Sequence, residues 1–314
     1  MADRVAVTGP TGFIGWHVCE AFRDAGWNVV AVVRPESRKP LPAGVERVAA
    51  NLEAAALTRT FGHASAIVHL AGIMRASSIG EYRRVNVEGT REVAEAARAL
   101  GARMIHVSSL TVAGPAPADR PKTEADAPAP ITDYGRSKME SEAIVQRTPG
   151  LRWTTIRPAA VYGPRDRQFL PLFQAARRGL FLRPSNADSF SLTVVHGADV
   201  ARGIEMACRR EDVDGETLFI GHPTPVSLDR VLRTLALIVD RPYRPLPVPF
   251  ALARVAAWLG IAGMRPERLI EMKSPGFVCS VARAERCLGF RAQIDLADGF
   301  RSTAAWYVEN RWLS

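Results

Sequence analysis

Lysine is nearly absent from this 314-residue chain: only Lys39, Lys122, Lys138 and Lys273 occur, so the formal net charge of +9 rests on arginine. The arginines are scattered rather than blocked and aromatic residues do not interleave with them, which argues against nucleic-acid binding. A basic surface that attracts an anionic small molecule is the better reading. Cysteine is scarce too. Cys19, Cys208, Cys279 and Cys287 lie far apart with no metal-ligand spacing, so reduced thiols in a cytoplasmic protein are expected. Long apolar runs are missing. The longest, "PFALARVAAWLGIAG" at 249–263, contains Arg254 and is too short for a membrane span. It predicts a buried or interfacial helix over 249–262, with Trp258 in the core or in a lid. The opening "MADRVAVTGP" carries an acid and an arginine among its first four residues and does not read as a secretory signal.

What the chain does contain is the 47% hydrophobic and 23% charged content of a soluble globular protein, enough for one large or two unequal domains. Short β-branched runs at 4–9, 28–33, 66–72, 104–109 and 151–158 alternate with helix-length segments at 13–25, 81–100 and 135–147. Runs this short and continuous fit strands buried on both faces of a parallel sheet. The alternation predicts a doubly wound, Rossmann-type α/β fold. After residue 163 the rhythm changes: helices are expected near 168–178, 227–239 and 295–309, an irregular stretch over 180–190, and an extended proline-rich linker over 241–249. The expected organisation is a nucleotide-binding domain over 1–163, joined again by 191–222. A smaller, mostly helical substrate region takes 164–190 and 223–314. The Pro/Ala tract at 115–130 reads as a long surface loop that moves when ligand binds.

Directly after the first strand, "VAVTGPTGFIGWHV" spaces Gly9, Gly12 and Gly15 as GxxGxxG. Gly9 allows a tight turn, Gly12 admits a pyrophosphate to backbone N–H groups, and Gly15 lets the helix pack on the strand. At the end of the second strand, where a carboxylate would take a ribose 2′-hydroxyl, stands Arg34, with Ser37 and Arg38 beyond. A guanidinium can clamp a 2′-phosphate, so NADP(H) is favoured and NAD(H) remains open. "DYGRSKMESE" puts Tyr134 and Lys138 four positions apart, on one helix face. With five tyrosines and four lysines in the chain, a chance YxxxK has a likelihood of about 0.06. A free phenol titrates near pH ~10, and a nearby ammonium or oxidised nicotinamide should lower that value towards neutrality.

These motifs together resemble the extended short-chain dehydrogenase/reductases, the NAD(P)-dependent epimerase/dehydratase family. The matching elements run from residue 4 to about 201, with a weaker echo in "AERCLGFRAQIDLADGFRSTAAWY". "TGPTGFIG" is similar to the family's nucleotide fingerprint, "HLAG" to the segment lining the cofactor, "NVEGT" to a helix motif whose asparagine adjoins it, and "SSLTVAG" to SSxxVYG. "YGRSK" matches YxxxK, and "RPAAVYGPRD" is similar to the loop from nicotinamide to substrate. The resemblance implies Ser109, Tyr134 and Lys138 as catalytic residues, Ser108 and Thr111 being rivals for the role of Ser109. For cofactor binding it implies Gly9, Thr11, Gly12, Phe13, Ile14, Gly15, Arg34, Arg38, Asn51 and Leu52. Leu70, Ala71, Gly72, Asn86, Lys138 and Pro158 complete that set. Ser109, Thr111, Ala160 and Arg165 are implied to meet the substrate. Ser109 would hold the substrate oxygen while Tyr134 moves its proton, Lys138 would bond the nicotinamide ribose, and hydride would pass at nicotinamide C4.

Departures from the family pattern bear on the substrate. Ala113 replaces the common tyrosine, and Asn51 stands where many members have aspartate. Nucleotide-sugar epimerases place an asparagine and an arginine where this chain has Ala160 and Leu192. Apolar side chains cannot pair with a diphosphate, though Arg165, Arg167 or Arg183 could substitute. The leading expectation is therefore a secondary-alcohol/ketone oxidoreductase, or aldehyde reductase, for an apolar non-nucleotide substrate. Alternatives are a nucleotide-sugar epimerase/dehydratase and a non-catalytic NADP(H) sensor. A homodimer through helices 81–100 and 134–148 is expected by analogy. His196 and Asp199 read as a helix cap and His69 as a packed strand-end residue. His17, His63, His106 and His222 have no partners at metal spacing, so no metal is expected.

Overall fold

The computed structural model describes residues 3–248 and 270–313. It opens with β1 (Arg4–Thr8), α1 (Phe13–Asp24), β2 (Asn28–Val33), β3 (Glu46–Ala49), α2 (Ala54–Phe61) and β4 (Ala66–His69). A long helical passage follows, made of α3 (Ile79–Tyr82), a wider π-type turn at Arg83–Glu88 and α4 (Gly89–Leu100). Next come β5 (Arg103–Val107), α5 (Asp133–Arg147) and β6 (Trp153–Pro158). The second half runs through β7 (Ala160–Tyr162), α6 (Leu170–Arg177), β8 (Phe181–Pro184), β9 (Ser191–Leu192), β10 (Val194–His196), α7 (Gly197–Cys208) and β11 (Thr217–Ile220). It closes with β12 (Val226–Ser227), α8 (Leu228–Ile238), β13 (Pro245–Val248), β14 (Gly276–Phe277), α9 (Ala282–Leu288) and α10 (Leu296–Glu309).

Seven strands form one parallel sheet in the order β3-β2-β1-β4-β5-β6-β11. Burial on both faces explains their near-continuous apolar sequences. Val5 and Val7 of β1 enter one core while Ala6 enters the other; Val68 and Ile67 of β4 divide in the same way. Helices α1 and α7 pack together on one side, α2 and α4 on the other. The strand order turns back between β1 and β4, the point at which such sheets open a crevice for ligand. A third core of Tyr162, Phe173, Phe181, Leu235, Phe300 and Tyr307 holds α6, α8 and α10 together.

The doubly wound fold and its helical C-terminal elements agree with the sequence expectation. The differences lie in less periodic segments. β3 carries no apolar run because it is an edge strand with three of its four residues exposed. The expected irregular stretch contains β8, and the expected linker contains β13, which pairs with β8 in parallel. The loop at 115–130 is pinned rather than loose. Ala116 and Lys122 N–H groups donate to the Gly276 and Val278 carbonyls at 2.9 Å each, and the Glu124 carboxylate accepts from Phe219 N–H at 3.0 Å. The helix expected over 249–262, with Trp258, lies outside the described residues. Among the described residues no helix is long and apolar enough to cross a membrane.

Candidate active site

The glycine loop follows β1 and so lies at the switch point, and at two of its glycines there is no room for a side chain. Gly9 has φ +74°, and a Cβ there would sit 2.7 Å from Ala71 N. A Cβ on Gly15 would lie 2.1 Å from the Gly9 carbonyl oxygen. Gly12, by contrast, is exposed and would meet only that oxygen, at 3.3 Å. It caps α1 with no side-chain bond and no acid in the first turn, so the N–H groups of the helix start are left for an anion. The residues therefore fit a dinucleotide: crowded glycines shape the turn, and unclaimed donors face its open side.

From this loop a continuous chain of contacts leads to α5. Gly9 abuts Leu70 and Ala71, and Gly72 lies against the Asn86 carboxamide. Asn86, fully buried in the π-type turn, accepts from Ile73 N–H at 2.8 Å and donates to the Ile73 carbonyl at 2.9 Å. Its amide also donates to the Ser137 hydroxyl at 2.9 Å, and Ser137 in turn donates to the Tyr134 carbonyl at 2.8 Å. Thr132 caps α5 by accepting from Gly135 N–H at 3.1 Å. Ser109, at the end of β5, accepts from Thr111 N–H at 3.2 Å and from the Thr111 hydroxyl at 2.9 Å. Those two bonds leave its own proton for Tyr134, to which it is hydrogen-bonded. Thr111 thus holds the Ser109 side chain from two sides. Ser108 is buried and its hydroxyl has no partner among the described residues.

The electrostatics differ from the expectation drawn from spacing. Burial pushes the Tyr134 phenol up to about 12, against the pull of the Ser109 hydrogen bond, and the neighbouring Tyr82 adds to the rise. Burial also draws Lys138 down to about 8, opposed by the Glu142 carboxylate. A phenol removed from water resists ionisation, and its hydrogen bond from Ser109 does not offset that. In the chain alone Tyr134 is therefore a proton donor at neutral pH. Glu142 is itself anchored by Arg157 through a two-pronged buried pair at 2.9 and 2.6 Å. Ser137 and Glu142 are absent from the sequence reading, although positions +3 and +8 from Tyr134 place them on adjoining helical turns.

Arg34 is exposed and meets Glu36 at 3.4 Å, while Arg38 is exposed beyond it. Thr11, Phe13 and Ile14 are half-buried around the start of α1, Asn51 is exposed, and Leu52 packs against Gly89. Pro158 is buried at the end of β6. Ala160 pairs with Val194 and donates its N–H to the Thr193 carbonyl, beside Leu192. Arg165 does not join Ser109: its backbone is left-handed (φ +76°) and its guanidinium lies 3.5 Å over Trp16.

The family model described as the NAD dependent epimerase/dehydratase family matches residues 5–221, from β1 through the end of β11. The chain belongs to this family. A ceramide reductase of Caulobacter vibrioides is 31% identical, with 98% of this chain and 96% of the relative covered. A 4-hydroxy-2-methyl-3-oxo-4-farnesyl-3,4-dihydroquinoline-1-oxide ketoreductase of Stigmatella aurantiaca is 30% identical, with 82% and 79% covered. Among solved structures, MoeE5 in complex with UDP-glucose and NAD is 28% identical, with 98% and 99% covered and a TM-score of 0.79. As a member of the epimerase/dehydratase family, the protein is an NAD(P)-dependent enzyme of oxidoreductase or epimerase/dehydratase type.

Proposed function

We propose that this enzyme interconverts a secondary alcohol and a ketone, or reduces an aldehyde, on an apolar substrate that carries no nucleotide. The observation behind the reading is where the arginines are engaged. A sugar nucleotide brings a diphosphate, whose charge must be paired when it leaves water. Ala160 and Leu192 cannot do so, and of the three arginines that could replace them one is already charge-paired and two are held against tryptophan rings. Arg165 stacks on Trp16, Arg167 lies 4.6 Å over Trp312, and Arg183 is paired with Asp188 and Asp229. The relatives named ceramide reductase and ketoreductase support the same class. Net NADPH oxidation with a panel of lipid-like ketones tests it. Turnover of UDP- or dTDP-sugars without added cofactor would establish instead the nucleotide-sugar epimerase/dehydratase reading, which the likeness to MoeE5 favours. A non-catalytic sensor would keep its function in Tyr134→Phe.

In this reading Ser109 donates a hydrogen bond to the substrate oxygen, and Tyr134 delivers its phenolic proton to that oxygen during reduction. Lys138, cationic below about pH 8, stabilises the phenolate that remains and hydrogen-bonds the nicotinamide ribose. When bound, the nicotinamide supplies the hydride, or accepts it in the reverse direction. The loop from Gly9 to Gly15, with Thr11, Phe13 and Ile14, takes the pyrophosphate; Leu70, Ala71, Gly72, Asn86 and Pro158 line the rest of the cofactor site. Asn51 and Leu52 adjoin the adenine. Thr111 and Ala160 adjoin the substrate.

NADP(H) is the preferred cofactor, because Arg34 and Arg38 are exposed and cationic where a carboxylate would select NAD. Arg34→Asp should reverse the ratio of NADPH to NADH affinity. Residues 164–190 and 223–314 form the substrate region, and α4 and α5 the face of a homodimer that light scattering would reveal. Four free cysteines fit a cytoplasmic setting.

A further inference from the structure

The lobe built from α6, α8, β8, β13 and the end of α10 carries a surface that no step of the reaction uses. Arg177, Arg178 and Arg241 line a depression of about 210 Å³ together with Gln174, Trp312 and Leu313. The Arg241 guanidinium donates to the Arg177 carbonyl at 3.2 Å, which ties these two cationic segments together. In the same lobe Asp188 and Asp229 are paired with Arg183, and Asp229 also with Arg233, and among the described residues no ion pair joins a carboxylate to Arg177, Arg178 or Arg241. Asp240 adjoins Arg241 in sequence, yet among the described residues it forms no ion pair. Three exposed leucines belong to the same lobe. Leu237 ends α8 at 81% exposure, Leu246 lies on β13 at 50%, and Leu180 precedes β8 at 37%. The pairing of Leu246 with Leu182 brings the last two into one region.

We propose that this face binds the surface of an anionic phospholipid bilayer. Uncompensated arginines attract headgroup phosphates, and projecting leucines enter the boundary between headgroups and acyl chains. Single-stranded nucleic acid fits less well, since it calls for free aromatic faces. The aromatic ring of the depression, Trp312, lies beneath Arg167 and against Trp306 and Tyr307, at 4.8 and 5.9 Å. A protein partner would not require the leucines and arginines to respond to lipid composition.

The test is flotation of the full chain with phosphatidylcholine vesicles and with vesicles containing roughly 30% phosphatidylglycerol, across a salt series. Binding is expected to the anionic vesicles alone and to weaken as salt rises. Each arginine near such a surface contributes about fivefold, so the combined Arg177→Glu, Arg178→Glu, Arg241→Glu variant should lose at least about 100-fold. Leu237→Glu should lose several-fold. Unchanged thermal unfolding and NADPH binding would certify that both variants are folded. Equal partitioning into both vesicle types, no binding to either, native binding by the triple variant, or tighter binding to a short DNA duplex would each overturn the proposal. The readout needs no substrate, so its failure leaves the reductase reading untouched.

Discussion

The imidazoles of His69 and His106 stack 5.7 Å apart, 22° from parallel, on β4 and β5, which pair in register. Hydrogen bonds assign their protons. The Thr90 hydroxyl donates to the Asn86 carbonyl, so it accepts from His69 Nε2–H at 3.0 Å, and Thr8 donates to Nδ1 at 2.7 Å. Ser141 donates to the Lys138 carbonyl and accepts from His106 Nε2–H at 3.0 Å, which leaves His106 Nδ1 bare and buried. Both rings are thus neutral.

Acid should therefore unfold the protein early. Burial, helped by the Lys138 charge, pulls His69 down to about 3 and His106 well below its usual value. Below pH 6.5 the unfolded chain takes up protons that the folded one refuses. Stability is complete above that pH and is lost as pH falls from 6.5 towards about 3, by up to about 1.4 kcal/mol per unit for each ring. Thermal midpoints measured from pH 7.5 to 4.5 should start to fall before the carboxylates titrate. His106→Gln should flatten the slope; a midpoint constant down to pH 5 would contradict the assignment.

Glu142→Gln should cost about 3 kcal/mol in urea unfolding, because it strands the buried Arg157 guanidinium without its partner. The same change removes the charge that supports the Lys138 ammonium. The alkaline limb of the pH–rate profile should then move to lower pH, an effect that lost stability by itself does not produce.

Ketone reduction should be flat below about pH 8 and decline above it, as Lys138 loses the proton that an ordinary lysine keeps past pH 10. Tyr134→Phe should lower kcat by about 10²- to 10⁴-fold and leave NADPH affinity intact by fluorescence titration. A tenfold loss of affinity would place the phenol among the groups that hold the cofactor.

Two glycines should separate folding from binding. Gly15→Ala drives a methyl to 2.1 Å from a backbone oxygen that cannot retreat, so it should lower both Tm and NADPH affinity. Gly12→Ala meets its neighbour at 3.3 Å on the open side. It should cost little stability yet weaken NADPH binding at least tenfold, by isothermal titration.

What could be read in advance was local. Glycine spacing after a strand, a tyrosine and lysine one turn apart, and alternating apolar runs report backbone sterics and helical periodicity within a few residues. They were enough for the parallel sheet, the turn and the helix that carries Tyr134 and Lys138. Segments with mixed polarity were not legible: β3 is an exposed edge, and β8 and β13 exist because each supplies the other's hydrogen bonds.

The chain's own order of residues thus determined the family and its fold, since those follow from short-range patterns. Only the tertiary structure decided how the groups behave. Whether Arg165, Arg167 and Arg183 reach the site depends on Trp16, Trp312 and Asp229, all far away in sequence, and on the nearby Asp188. That the Tyr134 phenol stays protonated, and that His69 and His106 stay neutral, depends on the water excluded by packing. Spacing can bring two side chains to one face, but desolvation and long-range partners set their charge.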